Sequence, residues 1–141
     1  MIHAQNTKSE ILIMPASVAT AATASGVLDT KGYKYALIDV NCGTGGTAAT
    51  ELKLAEGDTT SAFTDITALV GGGTGVFSFP AANTSTAPIV RMNVDLRGRK
   101  RYLKLTHSPG VTSIIGANAV LMRADQTPSS NANSTGVTAN A

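Results

Sequence analysis

A chain of 141 residues is one domain's worth, long enough to bury a continuous core and short of the length at which cores split. Charged residues make up only 14% against a usual level of about 25%, so the surface is sparing in charge and suited to burial against partners. The net charge of +2 excludes the broad positive field of a nucleic-acid-binding domain, the single Cys42 excludes an intramolecular disulfide, and no apolar run approaches the roughly 18 residues of a membrane-spanning helix.

Residues 1–10 are polar and unpatterned, which predicts an arm that orders only against something else. Ile11-Leu12-Ile13-Met14 is too short for the core of a secretion signal and is closed by Pro15. With no disulfide framework either, we expect a soluble protein made, and used or assembled, in a reducing compartment. From here strand-like runs recur with Gly, Pro, Asn and Asp between them, predicting strands near 11–14, 17–21, 26–30, 34–42, 50–55, 75–79, 88–96, 101–107 and 113–123. Between Lys34 and Cys42, residues Ala36, Ile38, Val40 and Cys42 share an inward face while Asp39 and Asn41 point out. Leu52 with Leu54, and Ile115, Ala117, Ala119 and Leu121, repeat that alternation. Thr60 to Val70 fits either a short helix, with Phe63, Ile66 and Val70 on one face, or a loop, and Gly71-Gly72-Gly73 ends it in both cases.

Val90 to Leu105 predicts a β-hairpin. Val90, Met92, Val94 and Leu96 share one face, and the turn Arg97-Gly98-Arg99-Lys100-Arg101 is a charged tip holding four of the chain's eleven basic residues. After Ala124, the polar run from Gln126 to Gly136 has almost nothing to bury, so nothing offsets its ordering entropy. The organisation expected is an arm at 1–10, one domain at 11–124 and a low-complexity tail at 125–141. With Ala, Thr, Gly and Val abundant, that domain is all-β: an antiparallel β-sandwich of about eight strands, jelly-roll-like, with flexible arms at both ends.

Gly43-Thr44-Gly45-Gly46-Thr47-Ala48 follows a strand as a dinucleotide fingerprint would, but such a site needs a helix to open at the third small residue. Here Glu51 to Gly57 alternates like a strand, which makes the string a Gly-rich inter-strand loop. Gly71 to Gly75 lacks the Gly-Lys-Ser/Thr ending of a phosphate loop, His3 and His107 lack ligand spacing, and no nucleophile-elbow string is present. We therefore expect no enzyme, no cofactor and no metal, with Cys42 a small buried hydrophobe. For the basic turn, the bland explanation is a solvated tip that discourages edge-to-edge pairing. The functional alternative is a protein-docking patch formed by Arg97, Arg99, Lys100 and Arg101. Nucleic acid is disfavoured, because Tyr102 alone is available there to stack on bases.

Taken together, Val27 to Ala36, Leu52 to Asp58 and Val94 to Lys104 resemble small structural proteins of tailed bacteriophages, and more narrowly head decoration, or cement, proteins. The similarity covers most of residues 17–124 in the same order and carries over no catalytic residue. It implies a sandwich subunit that assembles as a homo-oligomer, a trimer, on the outer face of a phage head, with the major capsid protein as partner. Neither nucleic acid nor membrane is contacted directly on this reading. Other virion jelly rolls (tail, fibre or minor capsid modules) are the first alternative, and a glycan-binding jelly roll, short of aromatics to stack on sugar rings, is the second.

Overall fold

The structure, a computed structural model, describes residues 6–45, 47–72, 77, 87–123 and 137–141. Nine strands are present among them: β1 Thr7–Val18, β2 Ala24–Asp29, β3 Tyr35–Asn41, β4 Glu51–Gly57, β5 Thr64–Val70, β6 Ile89–Asp95, β7 Tyr102–Ser108, β8 Ser113–Met122 and β9 Val137–Asn140. They form a five-stranded sheet, ordered β1-β8-β3-β6-β9, and a four-stranded sheet, ordered β2-β7-β4-β5. All pairings are antiparallel except β9 on β6. First pairs with eighth, second with seventh, third with sixth and fourth with fifth. A chain doubled on itself and rolled into two sheets in this way is a jelly roll, as the composition and strand spacing predicted.

Alternation builds the core. Leu28, Leu52, Leu54, Leu69, Leu103 and Leu105 of the smaller sheet meet Ile38, Val40, Val90, Met92 and Leu121 of the larger, and all are fully buried. Ala36, Ile38 and Val40 point inward as expected and Cys42 is half-buried.

Five sequence expectations need correction. Val90 to Leu105 is not a hairpin, because β6 belongs to one sheet and β7 to the other. A 3-10 turn at Leu96–Gly98 carries the chain across, capped by Asp95, whose side chain accepts from the Arg97 amide. Both strands alternate because each turns one face to the shared core, and period two does not say which sheet a strand joins. Residues 60–70 contain neither helix nor a loop throughout: Thr64–Val70 is an edge strand beside β4, burying Ile66 and Leu69. The N-terminal arm is shorter than 1–10, since Thr7–Glu10 pairs with Ala119–Met122 of β8. The tail likewise contributes β9, whose backbone adds beside β6. The runs 11–14 and 17–21 are one strand up to Val18, with register shifts on either side of Ile13 that accommodate Pro15. Of the strand expected at 75–79, only Phe77 lies within the described residues, where it bridges Gly71.

Candidate functional site

Two surfaces stand out, one at an end of the sandwich and one on its side. The end gathers the β2–β3 loop, the turn after β4 and the crossover between β6 and β7. The Thr30 amide and hydroxyl both donate to the Arg101 carbonyl, at 3.0 and 2.6 Å, and the Leu96 amide donates to the Lys34 carbonyl at 2.8 Å. Both ends of the described chain arrive there too. The Arg123 amide donates to the Asn6 carbonyl at 3.1 Å, and the Asp95 amide to the Ala141 carbonyl at 2.7 Å.

The structure brings the four basic residues of the crossover together at this end, and each meets a carboxylate. Arg101 grips Asp29 with two prongs, at 2.9 and 2.7 Å. Arg97 meets Asp95 at 2.6 Å, Lys100 meets Asp58 at 3.0 Å and Arg99 meets Glu56 at 3.6 Å. The positive charge concentrated in the sequence is thus balanced locally, by carboxylates drawn from three segments of chain. The Arg101 guanidinium hydrogen bond, then the Lys31 amide, hold the Asp29 carboxyl down to about 2. Arg97 does the same for Asp95, by side chain and then by amide. The Arg97–Asp95 and Arg101–Asp29 pairs lie at the surface, where water and salt screen them, so they orient the crossover more than they stabilise the fold. Arg97 also lies over the Tyr35 ring and Arg101 over Tyr102, at 5.2 and 4.8 Å to the ring centres.

The second surface is the outer face of the five-stranded sheet. A solvated antiparallel sheet normally turns polar residues outward. The four-stranded sheet does so: Lys53, bonded to Asp65 at 3.2 Å and paired with Glu51, lies on its outer side near Lys104 and Thr106. The five-stranded sheet differs. Ile11 of β1 is 65% exposed and Ile114 of β8 66%, Met14 is 75% exposed, and Ile89 at the start of β6 is also exposed. Where the register of β1 shifts, a groove of about 250 Å³ opens between these strands and Asn41, lined also by Ile13, Pro15 and Gly116. Asp39 and Arg91 face each other across β3 and β6 on this outer side, joined by two hydrogen bonds of 2.7 and 2.8 Å. The sequence reading placed Ile11 to Met14 in a strand but not on an outer face. The signal was there in four consecutive apolar residues, since a two-fold alternation can bury only half of them.

Two reactive side chains are in the body of the fold, not at either surface. His107 lies inward on β7, opposite Ala24 of β2 and Leu52 of β4, and is fully buried. Among the described residues neither ring nitrogen has a hydrogen-bond partner. Burial pushes the Cys42 thiol up to about 12, so little thiolate exists at neutral pH. We expect Cys42 to react with a disulfide reagent at pH 8 far more slowly in the folded protein than in denaturant, as followed by absorbance. Among the described residues no three His, Cys, Asp or Glu residues are grouped to hold a metal ion, and no helix is long and apolar enough to cross a membrane. His3 lies outside the described residues.

No protein-family model matches this chain, and no curated protein matches it. Among solved structures it is similar to the crystal structure of SPBc2 prophage-derived protein YomS, with 13% sequence identity and a TM-score of 0.47, over 82% of this chain and 93% of that one. A likeness of that degree carries no argument about what this chain does.

Proposed function

We propose that this chain is a virion structural protein, a capsid decoration subunit that binds the outer surface of a tailed-phage head as a homo-oligomer, a trimer. It is made in the host cytoplasm and ends on the particle, where it meets the major capsid protein. Its work is mechanical: a subunit bridging several coat proteins adds contacts that must break before the shell can open under the pressure of packaged DNA. The sequence resemblance over most of residues 17–124 points to this role. The observation that carries the docking reading is the convergence of Asn6, Ala141 and the Arg97–Arg101 crossover at one end of the sandwich. An N-terminal segment and a rigid polar crossover emerging side by side can meet one partner surface together.

The local charge balance changes the expected docking chemistry. A crossover whose cations already hold carboxylates does not pull on an acidic coat surface as a bare basic tip would. It offers a fixed array of both signs, and specificity comes from complementary placement of charge. Individually weak contacts of this kind hold when linked copies engage at once, since linkage raises avidity by about 10²–10⁴.

Cosedimentation with expanded capsids tests the assignment, comparing the full chain, a deletion of residues 1–5 and the double variant Arg99→Glu, Arg101→Glu. We expect the double variant to bind about tenfold more weakly or worse, because each copy in a linked set loses the contact. Its unfolding temperature should fall only modestly, as the Arg101–Asp29 pair is exposed and the half-buried Arg99–Glu56 pair is long, at 3.6 Å. Unchanged binding by both variants overturns the docking assignment.

A further inference from the structure

We infer that the outer face of the five-stranded sheet, around Ile11 and Ile114, is where one copy of this chain binds another. The inference deepens the proposed oligomer, which it rests on, but it concerns a contact that forms without a capsid. Three features of the face favour an identical copy over a partner of different chemistry.

The first is charge. Asp39 and Arg91 already satisfy each other through two hydrogen bonds, so covering them buries a complete pair and strands no charge. An acidic or basic partner finds nothing here to answer it, whereas the same neutral face does. The second is shape. Ile11 and Ile114 project beside the groove that Pro15 and Gly116 help to line, so a knob and a hole share one face. A Cβ on Gly116 would lie 3.2 Å from Pro15 Cγ, so larger residues there would crowd the groove wall. Identical copies can therefore insert the knob of one into the groove of the next, the self-complementarity that symmetric assemblies require.

The third is size and direction. Four strands about 4.8 Å apart and about seven residues long present roughly 450 Å² in projection, about half of what one partner gives to a standard interface. Association through this face alone is accordingly weak and concentration-dependent, and it strengthens when a shell holds the copies together. The face runs along the strands while the charged end lies across them. A rotation axis parallel to the strands thus points every copy's Arg97–Arg101 crossover the same way.

Sedimentation velocity from micromolar to millimolar concentration reads the association, with Ile11→Lys and Ile114→Lys as variants at exposed positions. Methionine oxidation by peroxide on the same samples reports the face, with Met14 exposed beside it and Met92 fully buried as the internal control. For the natural chain we expect the average mass to rise with concentration and Met14 oxidation to slow several-fold. The variants should stay monomeric with Met14 reactive throughout. A natural chain that is monomeric at every concentration overturns the inference, as does association of both Lys variants equal to that of the natural chain. Slow oxidation of Met14 in a dilute monomer overturns it too, since a segment of the chain itself would then cover the face. If association is seen but capsid binding is not, the contact stands and the decoration reading falls.

Discussion

Replacing Gly26 with alanine is expected to cost the protein about 3 kcal/mol or more, the upper range for overpacking, and to lower its unfolding temperature by about 10 °C or more. Gly26 lies in β2, and a Cβ built on it falls 1.9 Å from the carbonyl oxygen of Leu12 in β1, in the opposite sheet. That neighbour is backbone and cannot rotate aside. Relief requires the edges of the two sheets to move apart just where Leu12, Ile13 and Leu28 enter the core. The matched control is Gly98→Ala in the crossover, where an added Cβ meets nothing within 4 Å. Alanine there should leave stability level or raise it by about 0.4–1 kcal/mol, by restricting the unfolded chain. Urea midpoints of the two variants decide the matter, and a Gly26→Ala protein as stable as the natural chain would contradict the close packing of β1 on β2.

The second effect comes from His107, and it appears in acid. The imidazole is fully buried without a hydrogen-bond partner among the described residues, and burial lowers its pKa from 6.5 to about 4. The folded state therefore refuses a proton that the unfolded chain accepts. Stability is whole above about pH 6.5, declines as the pH falls toward about 4, and loses nothing further from this group below that. The full loss is about 3 kcal/mol, a large fraction of what a domain this size possesses. His107→Leu removes the proton site and fits apolar surroundings, so its stability should be flatter between pH 6.5 and 4 and no lower than natural at pH 7. Equal slopes for the two proteins in that window would place the acid sensitivity elsewhere.

These two positions also mark the limits of what was legible in the chain. Alternation revealed strands, their inward faces and the sandwich, because the residues that alternate are those the shared core buries: Ala36, Ile38 and Val40, or Val90, Met92 and Val94. It could not reveal pairing, which depends on contacts far apart in sequence. Thus β6 and β7, adjacent in the chain and both alternating, read as one hairpin but are partners of β3 and β4 in different sheets. Residues 60–70 misled for a related reason: edge strand β5 buries Ile66 and Leu69, a spacing of three that fits a helix as readily as an irregular edge. The basic cluster was visible as charge, but its four carboxylates come from positions 29, 56, 58 and 95, and only the fold assembles them. For His107, alternation with Leu103 and Leu105 places the ring on the inward face, but nothing in the sequence says that both its nitrogens lack a partner among the described residues there.

Electron cryomicroscopy of expanded tailed-phage heads, with and without the purified protein, tests the proposed decoration role most directly. The proposed role predicts added density in many symmetry-related copies over the outer shell, with the Arg97–Arg101 end toward the coat protein and the five-stranded sheets turned to one another. Bare shells, or density confined to the tail vertex, would contradict it.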